Sequence, residues 1–321
     1  MSKESNVRVT RIYGVSKHPN ADLLDIGTVD GGYPVITKRG EYCDGDTVVY
    51  VPVDTMVPTD GEFSWLGGGA QHRVKAKRLR GVFSMGLVIP ALAGDSIGDV
   101  VGERYGMSKY EPPSEQGVND GLLDEHPVGI GVPIYDIEGW RKYSAEVFTD
   151  PEEIVVVTEK LHGANARFMF WEGRLRVGSR TQWKLLDGEN PWSRVARLYC
   201  LAEVCESLGE GVVIFGEVLG VQDLRYGVDS ANPGFRIFDI LDAKTYRWWN
   251  DAEIDTVPLP RVPVLYRGPV KGVDLAWAEG KSTLANHVRE GFVITPVEQR
   301  FSTALGSRAI LKLQGEGYLT R

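Results

Sequence analysis

The stretch Thr158-Glu159-Lys160-Leu161-His162-Gly163-Ala164-Asn165, TEKLHGAN, follows the apolar run Ile154–Val157 and precedes a second β-type run, Ala166–Trp171. A lysine therefore stands at the end of a buried strand, next to a glycine suited to a turn. A lysine so placed can carry a nucleotidyl group. Its neutral amine attacks the α-phosphorus of a nucleoside triphosphate, forms a phosphoramidate and expels pyrophosphate. Near pH 7.4 only about 0.1 % of an unperturbed lysine is neutral, so cations, a bound metal or desolvation must lower its pKa. The plain alternative is a solvated lysine at a strand end.

On the C-terminal side, Ala166–Trp171 and Leu175–Ser179 read as a hairpin around Glu172-Gly173, and further β-type runs follow at Val212–Val218, Phe235–Leu241, Phe292–Thr295 and Ala309–Leu313. A helix is expected after the N-cap Asn190, with Pro191 at its first position and its end near Gly209. Val195, Leu198, Ala202, Cys205 and Leu208 recur at helical spacing and predict its packed face. On the N-terminal side, Leu24–Val29, Tyr33–Lys38, Asp46–Val51 and Val82–Ile89 are short β-rich runs separated by Gly, Asp and Pro turns, as in a small barrel. Between Lys109 and Pro127 the chain turns acidic and Pro/Gly-containing. The expected organisation is a nucleic-acid-binding barrel over 1–110, a linker over 111–126 and a catalytic domain over 127–321. The fold class is α+β, with mostly antiparallel sheets flanked by helices.

The 321 residues are 42 % hydrophobic and 25 % charged, with a formal net charge of −8, which argues against a generally basic nucleic-acid coat. A local basic strip remains compatible with that balance, and Gln71-His72-Arg73-Val74-Lys75-Ala76-Lys77-Arg78-Leu79-Arg80 supplies one. On a single strand its alternation would point Arg73, Lys75 and Lys77 to one side, with Arg78 and Arg80 beside them, as a track for a phosphate backbone. The competing reading is a charged edge that blocks strand pairing. The aromatic group Tyr246, Trp248 and Trp249 fits packing better than base stacking. Three cysteines without a CxxC pair and five scattered histidines indicate neither a zinc cluster nor a disulfide framework. With no signal-type segment and no apolar run of roughly 18 residues, a cytoplasmic protein without membrane contact is expected.

The chain resembles the ATP-dependent RNA ligases, and the resemblance extends over nearly its whole length. TEKLHGAN matches their KxHGxN signature, and five further stretches follow in family order. These are Ser179-Arg180, Val213-Ile214-Phe215-Gly216-Glu217, Arg236-Ile237-Phe238-Asp239, Glu290-Gly291-Phe292-Val293-Ile294 and Ile310-Leu311-Lys312. Lys17-His18-Pro19-Asn20-Ala21-Asp22-Leu23-Leu24 and Arg80–Leu87 resemble OB-type RNA-binding modules related to the tRNA-binding domain of phenylalanyl-tRNA synthetases. The resemblance implies an OB-like barrel followed by an ATP-grasp-like nucleotidyltransferase domain. It implies Lys160 as the AMP carrier, with Glu159, Leu161, His162, Asn165, Arg180, Glu217, Phe238, Glu290 and Lys312 around ATP. Phe238 would stack on adenine, Arg180 and Lys312 would bind phosphate, and Glu217 and Glu290 would hold Mg²⁺ or Mn²⁺.

The implied activity is sealing of nicks in duplex nucleic acid that present an RNA 3′-hydroxyl and a 5′-phosphate, by a monomeric enzyme. His162 stands where DNA ligases and capping enzymes usually carry aspartate, and few residues follow Lys312 to hold their C-terminal OB domain. The alternatives are a DNA ligase, a capping-type guanylyltransferase, or an RNA-binding protein without catalysis. One departure from the family is Gln314, where RNA ligases often place a second lysine two residues after the first.

Overall fold

A computed structural model of the chain describes residues 6–66, 71–110 and 123–321, so most of the expected linker, 111–122, lies outside the described residues. The chain divides into two compact units, Met1–Ser114 with Leu319–Arg321, and Glu115–Tyr318. In the first unit the strands are β1 (Arg8–Lys17), β2 (Leu24–Val29), β3 (Tyr33–Lys38), β4 (Thr47–Val51), β5 (Thr55–Pro58), β6 (Gln71–Arg73), β7 (Lys77–Leu79), β8 (Val82–Ser84), β9 (Leu87–Pro90) and β10 (Ser108–Lys109). They form a five-stranded sheet of order β3-β2-β1-β4-β9, a three-stranded sheet β10-β5-β6 and the hairpin β7-β8.

Strand β1 pairs with β4 over Arg8–Arg11 and with β2 over Ile12–Lys17, with a register shift between Tyr13 and Ser16. A bulge of this kind bends and twists a strand, which lets one strand serve two partners in a small barrel. Its apolar residues divide accordingly. Val7, Val9, Val49, Val51 and Val57 pack in one cluster, and Ile12, Val29, Val35 and Val48 in the other. The expected single run Val82–Ile89 is two strands. Gly86 has φ 109°, and a Cβ there would lie 2.4 Å from the carbonyl oxygen of Val51, so the chain breaks where it crosses from the hairpin to the barrel sheet.

The basic stretch is not one strand either. Val74 and Ala76 are buried between β6 and β7, and the cations divide among β6 (Arg73), the connection (Lys75), β7 (Lys77 and Arg78) and the turn that follows (Arg80). Arg73 pairs with Asp54 at 2.8 Å and lies over the Tyr110 ring, whereas Lys75, Lys77, Arg78 and Arg80 are exposed. The fully buried His18 accepts from the Asn20 amide through Nδ1 and donates through Nε2 to the Leu79 carbonyl, while Asn20 Nδ2 donates to the Arg80 carbonyl. The KHPN segment thus clamps the β7–β8 turn that carries the basic side chains.

The second unit continues with β11 (Glu138–Gly139), α1 (Trp140–Val147), β12 (Ile154–Lys160), β13 (Ala164–Trp171), β14 (Arg174–Ser179), β15 (Trp183–Lys184), α2 (Pro191–Leu198), α3 (Leu201–Leu208), β16 (Val212–Leu219) and β17 (Gly234–Asp242). It ends with β18 (Arg247–Trp248), α4 (Asp251–Ile254), β19 (Val264–Pro269), β20 (Gly291–Pro296), β21 (Phe301–Ser302), β22 (Ser307–Arg308), β23 (Leu311–Gln314) and α5 (Glu316–Leu319). Two sheets dominate: a five-stranded sheet β11-β23-β20-β12-β19 and a six-stranded sheet β15-β14-β13-β16-β17-β18. All pairings in them are antiparallel except β11 with β23.

Period-two alternation on β13 explains how the six-stranded sheet is covered. Ala164, Ala166 and Phe168 face a core closed by Trp192, Val195, Leu201 and Cys205, while Met169 faces a second cluster with Trp183, Phe215 and Leu241. The helix expected over 191–209 is two helices. Asn190 caps the first by accepting from the Ser193 amide, as expected, but Cys200 at φ 50° ends that helical run. The physical cause is tertiary: the Tyr199 hydroxyl accepts from the Phe235 amide, and its ring meets that of Phe235 edge-on. Leu198, expected on the packed face, is consequently exposed. The last strand begins at Leu311 rather than Ala309. Trp248 and Trp249 join the apolar clusters, whereas Tyr246, the third member of that aromatic group, is exposed.

Candidate active site

Strand β12 ends on Lys160, and its antiparallel neighbour β20 begins at Gly291, which is paired with Lys160; Gly291 is in turn paired with Gln314 on β23. This three-strand register delivers Glu290 to the lysine. Lys160 Nζ donates to Glu290 Oε1 at 2.6 Å, and Gln314 Nε2 donates to the same oxygen at 2.9 Å. The residue that departs from the family pattern therefore positions the carboxylate that meets the lysine.

Glu217 comes from β16 in the other sheet, directly opposite Asn165 on β13. Its carboxylate accepts from the Gly163 amide. A Cβ at Gly163 would lie 2.2 Å from the Val218 carbonyl oxygen, so this glycine permits close approach of two backbones beside the site. His162 donates through Nε2 to Asp223 at 2.7 Å, and its Nδ1 meets the Tyr318 hydroxyl at 2.9 Å, with Glu290 Oε2 at 3.7 Å. The His162 amide donates to the Tyr226 hydroxyl.

The electrostatics set the resting protonation state. Burial pushes the Lys160 amine down, but Glu290 and Glu217 outweigh it and hold the ammonium above its ordinary value. The two carboxylates diverge. Burial, with Glu290 nearby, pushes Glu217 up to about 7 despite the pull of Lys160. Glu290 is equally deprived of solvent, yet Lys160 and His162 hold it down at about 2. Lys312 is pushed down by burial and then by Lys160 and Arg180, against the opposing pull of Asp136 and Glu290, and its side chain forms no ion pair or hydrogen bond among the described residues. It is a cation whose charge is not already neutralised by a contact partner.

The remaining expected residues divide. Asn165 faces the Glu217 side, and its buried Oδ1 has no hydrogen-bond partner among the described residues. Phe238 is the extra residue of a bulge on β17, between Ile237 and Asp239, and its ring lies 4.8 Å from that of Tyr135. Arg180 pairs with the exposed Asp136 at 2.9 Å, a contact worth roughly 0–1 kcal/mol and easily exchanged. Glu159 is held by the amide and hydroxyl of Thr283, with Arg289 at 3.7 Å, and Leu161 packs with Leu219 and Val262.

Sequence reasoning missed Asp223, Tyr226 and Tyr318, whose loop and terminal positions carry no periodic signal. It also missed Arg167. That side chain is buried and pushed down to about 10 by burial, lies 4.2 Å from the Trp183 ring, and has no hydrogen-bond partner for Nε or Nη2 among the described residues. Its spacing of two residues from Asn165, on one face of β13, was the available clue.

A divalent cation is compatible with this donor set. Glu217, Glu290 and the unsatisfied Asn165 Oδ1 are all hard oxygen donors. No group of three or more His, Cys, Asp or Glu placed to hold a metal occurs among the described residues, so substrate phosphates and water would complete the coordination.

An OB-fold domain family matches residues 6–91. The chain is similar in fold to the RNA ligase of Naegleria gruberi in complex with pyrophosphate, at 23 % identity over 99 % of this chain and 98 % of that one, with a TM-score of 0.82. It is likewise similar to a point mutant of that ligase with ATP and Mn, at 23 % identity, 98 % coverage of each chain and a TM-score of 0.82. A further mutant of the same ligase, with AMP and Mn, aligns at 23 % identity over 98 % of this chain and 97 % of that one, with a TM-score of 0.82. Comparison with curated proteins gives no match. The RNA ligase family model matches residues 153–314, which span Lys160, Glu217, Glu290 and Gln314, and by that match the chain belongs to the RNA ligase family.

Proposed function

We propose that this protein is an ATP-dependent ligase that seals nicks bearing an RNA 3′-hydroxyl and a 5′-phosphate in duplex nucleic acid, through AMP carried on Lys160. The observation that carries this reading is the 2.6 Å contact of Lys160 with Glu290, in a site that also gathers Glu217, His162 and Lys312. The resting lysine is an ammonium and cannot attack. Binding of Mg²⁺ or Mn²⁺ by Glu217 and Glu290 would supply positive charge that both draws the triphosphate and cancels the field holding that proton. Lys312 adds repulsion of the same sign.

The amine of Lys160, its proton lost to solvent, attacks the α-phosphorus; an N–P bond forms and the bond to pyrophosphate breaks. Arg180, released from Asp136, and Lys312 meet the phosphate oxygens, and Phe238 offers its face to adenine. A 5′-phosphate oxygen then attacks the phosphoramidate phosphorus and Lys160 leaves, taking up a proton. Finally the 3′-hydroxyl attacks the adenylylated phosphate, the phosphodiester forms and AMP departs. Positioning and charge neutralisation account for most of the acceleration available in such transfers. The catalytic part corresponds to 127–321 and the OB-like part to 1–110, joined through 111–126, in a monomeric cytoplasmic enzyme.

Incubation with α-labelled ATP or GTP and a divalent metal tests the reading. ATP should label the wild type with an acid-labile bond, Lys160→Ala should take no label, and singly nicked duplexes with an RNA 3′-hydroxyl strand should be sealed in preference to all-DNA nicks. Labelling by GTP alone would identify a guanylyltransferase instead. No labelling by either nucleotide would leave an RNA-binding protein without catalysis.

A further inference from the structure

Strand β17 carries a cation that the chemistry proposed above does not use. Phe235 and Ile237 belong to the core that α2 and α3 close, so alternation along the strand places Arg236 on the opposite face of the sheet. Glu217 and Asn165 share that face: Glu217 on β16 is paired with Arg236 on one side and with Asn165 of β13 on the other. Beyond β13, Arg180 directly follows Ser179, the β14 partner of Ala166. An arginine therefore flanks each side of the Asn165–Glu217 pair.

The two arginines differ in their company. Arg180 pairs with Asp136, and both act on the charge of Lys312, together with Lys160 and Glu290. The cations expected to meet the triphosphate thus form one group. Arg236 stands outside it. It is half-buried, and its side chain forms no ion pair or hydrogen bond among the described residues, although Glu217 is its cross-strand neighbour. A guanidinium offers five donors in a planar fork, and phosphate oxygens match that fork best.

Arg180, Lys312 and the metal provide for the phosphates of ATP, whereas the strand that receives AMP brings phosphates for which the second unit has no other assigned cation. We propose that Arg236 binds a phosphate of the AMP-accepting strand and so holds its 5′ end beside Glu217 while the terminal phosphate attacks lysyl-AMP. The contact forms no bond in the reaction and is compatible with a duplex, whose backbone phosphates remain accessible. The assignment rests on the ligase reading above and adds to it a contact for the second substrate.

The test separates two steps in the full-length protein: formation of protein–AMP from ATP, and transfer of AMP from purified protein–AMP to a singly nicked duplex. Arg236→Ala and Arg236→Gln should form protein–AMP at the wild-type rate and ATP concentration. Both should need about tenfold more nick for half-maximal transfer, at an unchanged maximal rate. The slope of log affinity for the nick against log salt should fall by about 0.9, the value for one phosphate contact. Arg236→Lys keeps the charge without the fork and should restore the slope and part of the affinity. The glutamine variant retains part of the aliphatic stem, so a defect common to it and the alanine variant is not one of lost packing. An unchanged nick requirement in Arg236→Ala overturns the proposal. Equal slowing of protein–AMP formation also overturns it, by making Arg236 a nucleotide-binding or structural residue, and so does an Arg236→Lys slope no steeper than that of Arg236→Ala. Failure of the wild type to form protein–AMP would count against the ligase reading alone, because the salt slope of nick binding by the unmodified protein still compares wild type with Arg236→Ala.

Discussion

Lys160 rests as an ammonium because Glu290 accepts its proton's hydrogen bond at 2.6 Å, and Gln314 fixes that carboxylate from the other side. Gln314→Ala should therefore leave folding intact but let Glu290 rotate, slowing protein–AMP formation about tenfold and raising the metal concentration for half-maximal rate; a titration of labelling against Mn²⁺ checks this. Glu217 gives a pH signature. Its folded pKa of about 7 lies above the ordinary 4.5, so the unfolded chain loses this proton first and Glu217 makes stability fall as pH rises from about 4.5 to 7. Glu290, held at about 2, acts oppositely: its contribution is complete above 4.5 and is lost as pH falls toward 2. Between pH 5 and 8, Glu217→Gln should gain stability relative to wild type by on the order of 3 kcal/mol in the absence of nucleotide. Urea unfolding at the two pH values measures it.

At the scale of elements, the Asn190 cap is a local device with a local cost. Asn190→Ala removes the acceptor for the Ser193 amide and should destabilise the protein by about 1 kcal/mol, seen as a lower urea midpoint with unchanged slope. Both this cap and the Glu172-Gly173 turn were legible in the sequence, because side-chain identity and positive φ at adjacent residues (53° and 72°) decide them without reference to distant partners. The break at Cys200 was not legible. The helical period continues through it, and the break coincides with a long-range contact, the Tyr199 hydroxyl accepting from the Phe235 amide. The division of the basic stretch between β6 and β7 was hidden for a similar reason: Val74 and Ala76 look like the inward positions of one strand, yet they are the buried connection between two.

For the whole molecule, a net charge of −8 makes nucleic-acid affinity depend on local cations rather than on a general field. Neutralising Lys75, Lys77, Arg78 and Arg80 together should reduce the slope of log affinity against log salt by about 3 to 4 for a duplex ligand, at roughly 0.9 per phosphate contact. Filter binding of nicked duplex across a salt series checks it, and an unchanged slope would return these residues to the role of a charged edge.

The sequence by itself determined the place of Lys160 at a strand end before a glycine, the order of the motif segments that follow it, most strand positions and the OB-type character of the N-terminal part. These depend on short-range patterns: alternation, turn chemistry and residues adjacent in the chain. Only the tertiary structure decided that Gln314 holds Glu290, that Glu159 turns to Thr283 and Arg289, and that the buried Arg167 lacks hydrogen-bond partners for two of its nitrogens. It also decided that Glu217 and Glu290 titrate in opposite directions. The physical reason is that pairing across β12, β20 and β23 brings together residues more than a hundred positions apart, and the charge state of each depends on burial and neighbours that no local pattern records.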